Sequence, residues 1–122
     1  MKNLIALFVF TIFLMGSPTD IQLEIADKYS KYFNGVYIVE VVENPGNALG
    51  AVECGDVDGY KINGCTYYRN DKPVLTEVNV DQTPEVFEVS LLHELAHNVF
   101  GQNERFAYWY PKFMIEWVSN MK

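Results

Sequence analysis

The chain has 122 residues, enough for one small domain, and 49% of them are apolar, which allows a hydrophobic core and argues against disorder. Its formal charge is −7, from 16 acidic and 9 basic residues, and lysine and arginine form no cluster. Nucleic acid is therefore a poor candidate partner, because its binding depends on neutralising phosphates with cations.

The start of the chain has the pattern of a secretory signal. Lys2 precedes an uncharged apolar run over residues 4–15, and the small residues Gly16 and Ser17 follow it. The run is shorter than the ~20 apolar residues of a membrane-spanning helix. We predict that residues 1–17 are a signal peptide, with an uncleaved N-terminal anchor as the alternative. The mature domain would then be residues 18–122 of an exported, secreted or periplasmic protein, with no stable membrane span after cleavage.

A helix and a pair of strands are predicted next. Residues 17–20 have the pattern of a helix start, and apolar side chains recur at helical spacing from Ile21 to Tyr32. The β-branched run over residues 36–42 predicts a strand, and residues 48–54 can return beside it as the second strand of a hairpin.

Two cysteines, Cys54 and Cys65, follow in this part of the chain. In an oxidising compartment such a pair most simply forms one disulfide, which would stabilise a small domain by roughly 2–3 kcal/mol. The alternative is that one of them is a metal ligand. It is less favoured, because neither lies in a CxxC pair or beside a histidine.

The second half of the sequence predicts a β-hairpin followed by helices. Residues 66–68 and 74–80 predict two strands around a polar turn, with one face of the second strand exposed to solvent. Thr83 and Pro84 predict the start of a long helix that ends at Gly101.

Asn103 can cap a further helix, which Pro111 is expected to break or kink into short C-terminal helices. The element order predicts an α+β fold: a small mixed sheet of three or four strands packed against an N-terminal helix and the long helix.

The long helix carries the residues on which a functional prediction depends. His93 and His97, the only histidines, are at positions i and i+4, so their imidazoles project from one face and can bind one tetrahedral metal ion. Glu94 lies about 100° around the helix and can contact a water on that metal. This is the H-E-x-x-H arrangement, in which zinc lowers the pKa of water and the glutamate accepts its proton. The alternative is a chance match, but burial of these polar groups in an apolar helix would be unfavourable without a metal or partners.

The stretch from His93 to Gly101, with Leu95, Ala96 and Phe100 in the matching places, resembles the active-site helix of zincin metallopeptidases, especially the gluzincin aminopeptidases. The following Asn103-Glu104-Arg105-Phe106-Ala107 resembles the segment that carries their third zinc ligand. The resemblance covers residues 92–107. It implies a minimal zincin-like fold, Zn²⁺ bound by His93, His97 and Glu104, Glu94 as general base, and a peptide or protein substrate.

The third ligand departs from the family pattern. Glu104 follows His97 much more closely than in gluzincins, so the chain has to turn sharply at Gly101 for its side chain to return to the metal. Glu116 has the gluzincin spacing but lacks the preceding asparagine, and it is the alternative third ligand.

The family resemblance also implies where a substrate lies. The predicted strand over residues 74–80 leads into the long helix and is expected to be the edge strand along which an extended peptide binds. A donor that stabilises the transition state is expected as well. Tyr108 or Tyr110 is the candidate, and a packing role is the alternative for each.

The sequence thus predicts a small exported zinc metallopeptidase. One alternative is a zinc amidase that acts on cell-wall amide bonds. The other is a catalytically silent zincin-like binding module, since folds are reused freely and the domain is small.

Overall fold

The computed structural model describes residues 10–46 and 63–121. In these ranges the protein has an α+β fold with a four-stranded mixed sheet and three helices, which confirms the predicted fold class. In chain order the elements are β1 (Phe10–Gly16), α1 (Asp20–Ser30), β2 (Gly35–Val42), β3 (Gly64–Arg69), β4 (Lys72–Asn79), α2 (Pro84–Phe100) and α3 (Glu104–Ser119).

The sheet has the strand order β1-β2-β4-β3. β1 pairs with β2 and β2 with β4 in parallel, whereas β3 pairs with β4 in antiparallel orientation. α1 makes the crossover that the parallel pair β1 and β2 requires. β3 and β4 form the predicted hairpin, whose turn residues Asn70 and Asp71 both have positive φ angles (53° and 63°).

The position of β3 corrects one prediction. The strand predicted over residues 74–80 pairs with a neighbour on each side, so it is an interior strand, and the described edge strand beside the long helix is β3. β4 is interior because β2 pairs with one of its sides and β3, its hairpin partner, pairs with the other. α2 packs against both strands.

β4 differs from its prediction in a second way, because both of its faces are covered at its C-terminal end. The consecutive residues Thr76, Glu77 and Val78 are all buried, so the predicted solvent-exposed face is wrong for this half of the strand, while Val74 near its start is 52% exposed. One Glu77 oxygen accepts hydrogen bonds from the Gly46 amide and the Tyr67 hydroxyl, both at 2.9 Å. These donors compensate for removing the carboxyl group from water.

The helix starts follow the predicted capping signals. The Thr19 hydroxyl caps α1, the Thr83 hydroxyl caps α2 ahead of Pro84, and the Asn103 side chain caps α3. α2 ends at Gly101, whose φ angle of 97° is accessible to glycine at little cost. Local capping chemistry therefore sets the start of all three described helices and the end of α2.

α3 is continuous through Pro111, so the predicted break into short C-terminal helices is wrong. A proline inside a helix loses one backbone hydrogen bond and costs about 3 kcal/mol. Here Pro111 is fully buried, and Ala107, Tyr110, Met114 and Val118 of the same helix pack into the core. Burial of this face offsets the loss.

The core lies between the helices and one face of the sheet. Phe87, Leu91 and Leu95 of α2 are fully buried, as are Tyr29 of α1 and Val39 of β2. Within the described ranges, no helix is both long and apolar enough to cross a bilayer.

Two sequence predictions concern residues near or beyond the limits of the described ranges. Residues 10–16, predicted as part of a signal peptide, form β1, which lies at an edge of the sheet among the described strands, and Ile12 within it is buried. The signal peptide itself stays a prediction. Cys65 is disulfide-bonded, while its predicted partner Cys54 and the predicted strand over residues 48–54 lie outside the described residues.

Candidate metal and catalytic site

Three of the predicted site residues converge at the junction of α2 and α3. Oε1 of Glu104 lies 2.7 Å from Nε2 of His97 and 3.0 Å from Nε2 of His93. One ligand atom from each of the three residues lies within 4.8 Å of the other two. Two imidazoles and one carboxylate therefore face a common point.

The turn between the helices makes this convergence possible. The Gly101 amide donates to the His97 carbonyl oxygen at 3.0 Å and ends α2, and the Asn103 side chain accepts from the Phe106 amide to begin α3. Glu104 is then the first residue of the new helix. The chain turns at the predicted glycine, and the side chain returns toward the two histidines.

Glu116, the alternative third ligand, is not part of the cluster. It is exposed on α3, about 18 Å of helical rise beyond Glu104. Of the two candidates that the sequence leaves open, the fold brings only Glu104 to the histidines.

The orientation of His97 is fixed by its second ring nitrogen. Nδ1 lies 2.9 Å from the Gly101 carbonyl oxygen, which can only accept a hydrogen bond. Nδ1 therefore carries a proton, and Nε2 faces Glu104. A backbone carbonyl bound to the far nitrogen is the usual support for a metal-ligating histidine.

The surroundings of His93 favour the neutral form that metal binding requires. Its pKa is lowered, mainly because burial disfavours the charged ring; the carboxylate of Glu104 opposes this effect and His97 adds to it. A neutral imidazole retains the lone pair with which it binds a metal.

Glu94 is almost entirely buried, with 5% of its surface exposed. Its Oε1 accepts a hydrogen bond from the Thr66 hydroxyl at 2.7 Å, and its Oε2 lies 4.0 Å from Nε2 of His93. Burial raises the pKa of Glu94 to about 7, while the Thr66 hydrogen bond and His97 act in the opposite direction. A carboxyl group with a pKa near neutrality is suited to act as a general base.

The two tyrosines predicted as donors lie in different surroundings. Tyr108 is 73% exposed, and its ring centroid is 4.9 Å from that of His93. Tyr110 is buried and packs against the rings of Phe33 and Phe106. Tyr108 therefore keeps a place at the site, whereas Tyr110 has the packing role that was its alternative.

Tyr68 of β3 is a site residue that the sequence analysis missed. Its hydroxyl donates to the His97 carbonyl oxygen at 3.2 Å, and its ring contacts the His97 ring edge-on. Its pKa is raised to about 12, first by burial and then by the carboxylates of Glu94 and Glu104, so its hydroxyl stays protonated at neutral pH. The alternation of residues 64, 66 and 68 along β3 is the sequence signal that could have identified Tyr68. The substrate-binding strand is instead predicted at residues 74–80.

An open cleft of about 780 Å³ runs between β3 and α2. Alternate residues of β3, Gly64, Thr66 and Tyr68, line one wall, and the metal-site residues line the other. In the described part of the chain β3 pairs on one side only, with β4. An extended chain placed in the cleft would thus meet a strand edge and the cluster together.

Comparison of the chain with protein-family models, with curated proteins and with solved structures finds no match in any of the three.

Proposed function

We propose that the protein is a zinc metallopeptidase that binds Zn²⁺ through His93, His97 and Glu104 and uses Glu94 as its general base. The observation that carries the proposal is the convergence of two imidazole nitrogens on one carboxylate oxygen, at 3.0 and 2.7 Å. All three atoms can also ligate a metal, so a metal ion can replace the protons that hold these hydrogen bonds in the metal-free protein.

The donor set fits zinc. Two histidines and one carboxylate are a common set of ligands in catalytic zinc sites, where the fourth position is open to water. When bound, the metal polarises a carbonyl group and lowers the pKa of its water. The hydrogen bond from His97 Nδ1 to the Gly101 carbonyl oxygen orients Nε2 of His97 toward the other two ligands.

The other residues have roles that follow from their places. Glu94 directs Oε2 toward the cluster, where it can accept a proton from water. Tyr68 and Tyr108 both line the cleft. Tyr108 is the candidate donor to a developing oxyanion, because the Tyr68 hydroxyl donates its one proton to the His97 carbonyl oxygen.

A peptide substrate is supported by the edge strand. An extended peptide can pair with the outer edge of β3 through main-chain hydrogen bonds, which would place it along the cleft and across the metal site. This assigns to β3 the substrate-binding role that the sequence suggested for residues 74–80.

Metal content of the full chain tests the site. We expect about one zinc per chain in the parent protein, measured by mass spectrometry after reconstitution. Glu104→Ala should lose the zinc, while Glu116→Ala, a matched change at an exposed position of the same helix, should retain it. A Glu104→Ala variant with full zinc content would contradict the proposed ligand set.

Hydrolysis assays test the reaction. Glu94→Gln should retain zinc but lower kcat on casein about 10²–10⁴-fold, because the amide cannot accept a proton. Purified cell wall is the second substrate, since cleavage there without cleavage of casein would establish the amidase alternative. Full activity of Glu94→Gln on either substrate would refute its role as the base.

A further inference from the structure

A chain of hydrogen bonds leads from Asn98 at the end of α2 to the carboxyl group of Glu94. The Asn98 side-chain nitrogen donates to the Thr76 hydroxyl, which lies 3.2 Å from the Thr66 hydroxyl, and the Thr66 hydroxyl lies 2.7 Å from Glu94 Oε1. Thr66, Thr76 and Glu94 are all buried. Water therefore does not compete strongly for these bonds.

The direction of this chain can be deduced from its two ends. The Asn98 nitrogen also lies 3.3 Å from the backbone carbonyl oxygen of Glu94, which can only accept. This contact sets the orientation of the amide and makes Asn98 the donor to Thr76. The Thr66 hydroxyl donates its one proton to Glu94 Oε1, so it can only accept from the Thr76 hydroxyl.

The two carboxylate oxygens of Glu94 are thereby placed in different surroundings. Thr66 binds Oε1, and Oε2 is the oxygen nearer His93, at 4.0 Å. The space around Oε2 depends on Gly64, because a Cβ atom at that residue would lie 2.9 Å from it. Two residues of β3 thus act on one side chain of α2.

We propose that Thr66, supported by Thr76 and Asn98, is a positioning residue that fixes Oε1 of Glu94 as an acceptor and directs Oε2 to the metal site. The inference rests on the proposed function, because it assigns the Oε2 position to proton transfer. A hydrogen bond to a charged group restrains its partner more strongly than one between neutral groups. Without it the buried carboxylate would rotate, and its distance to the reacting water would vary.

The first experiment is a kinetic comparison of full-length variants. Thr66→Val removes the hydroxyl at nearly constant volume and should lower kcat about tenfold with KM and zinc content unchanged. Thr66→Ser keeps the hydroxyl and should retain kcat within about threefold. Thr11→Val, the same change in β1 at the opposite edge of the sheet, is the matched control and should behave as the parent protein.

Asn98→Ala provides a second variant, at the half-buried end of the chain, in case Thr66→Val does not fold. It should lower kcat by a smaller factor, since Thr76 and Thr66 can still bond to each other. Parental kcat in both Thr66→Val and Asn98→Ala would overturn the inference. So would an equal loss of kcat in Thr66→Val and Thr66→Ser, because that result indicates a general packing defect.

The second experiment needs neither metal nor activity, so it separates this inference from the proposed function. In the metal-free full chain the side-chain carboxyl ¹³C resonance of Glu94 can be assigned by its absence in Glu94→Gln. It should shift in Thr66→Val and return in Thr66→Ser. A shifted resonance in a protein that neither binds zinc nor hydrolyses peptides would refute the proposed function alone. An unshifted resonance in an active zinc enzyme would refute the positioning role alone.

Discussion

The buried carboxyl group of Glu94 is subject to opposing influences. Burial favours its neutral form and raises its pKa, whereas the Thr66 hydrogen bond and His97 favour the ionised form. The raised pKa means that burial has the larger effect. In the metal-free protein this balance links the charge state of one residue to the stability of the whole fold.

We therefore predict that the stability of the metal-free protein depends on pH through Glu94. Its pKa rises from 4.5 to about 7 on folding, so the folded state holds the proton more tightly than the unfolded state does. Stability then falls as pH rises from 4.5 to about 7 and is constant above that range. Glu94→Gln cannot ionise, and it should gain up to about 3 kcal/mol over the parent protein between pH 4.5 and pH 8.

Urea unfolding at the two pH values in the presence of a chelator measures this difference. Glu116→Gln, the same change at an exposed position of α3, is the control and should follow the parent protein at both pH values. An equal stability difference between Glu94→Gln and the parent at both pH values would show that Glu94 ionises without a cost from burial.

Gly64→Ala should disturb Glu94 without disturbing the backbone. A Cβ atom at this position would lie 2.8 Å from the Glu94 Cγ atom, closer than side-chain packing permits, so the carboxyl group has to move. We expect kcat to fall at least about tenfold with zinc retained. Arg69→Ala, an exposed change on the same strand, should leave kcat unchanged. Parental kcat in Gly64→Ala would show that the carboxyl position is not critical.

At the level of elements, the residues found from the sequence are those that lie close together along the chain. His93, His97 and Glu104 are joined by one helix and one turn, so their meeting depends on local signals such as Gly101 and the cap at Asn103. The residues from β3 could not be placed this way. Thr66 and Tyr68 reach the site only because β3 lies on the side of β4 that faces away from β2. The order of strands in a sheet depends on contacts between residues far apart in the chain, so it could not be read from local signals.

The turn between α2 and α3 should couple helix geometry to metal affinity. Gly101 has φ 97° and ψ −158°, a region that is strained for alanine, so Gly101→Ala should cost about 1–3 kcal/mol of stability. Its carbonyl oxygen also orients His97 through Nδ1, so zinc affinity should fall about 10–100-fold. Isothermal titration with zinc and thermal unfolding measure the two effects.

Thr83→Ala is the matched control for the turn, because it removes the cap at the other end of the same helix. It should destabilise the protein by about 1 kcal/mol and leave zinc affinity unchanged. If both variants weaken zinc binding equally, the effect reflects the stability of α2 as a whole and not the turn at Gly101.

At the level of the whole molecule, β1 is connected to the site-bearing helix through α1. The Ile12 amide of β1 donates to the Ser30 hydroxyl of α1 at 2.9 Å, and the buried Tyr29 hydroxyl of α1 donates to Glu88 of α2. Lys28 forms an ion pair with the same glutamate at 2.8 Å. Loss of β1 would therefore affect the support of α1 and not only one edge of the sheet.

β1, at residues 10–16, lies within the predicted signal peptide, at residues 1–17. The stability of a chain without these residues can therefore be compared with that of the full chain to test whether β1 is part of the fold. If β1 belongs to the functional fold, a chain that begins at Pro18 loses the buried side chain of Ile12 and the pairing of β1 with β2. Its free energy of unfolding should be at least about 2 kcal/mol below that of the full chain, in urea titrations at one pH. Ile12→Ala in the full chain should reproduce part of that loss, while Phe13→Ala, on the exposed face of the same strand, should cost much less. Equal stability of the two chains would show that the domain folds without β1, which would leave residues 1–17 available for the export role that their sequence predicts.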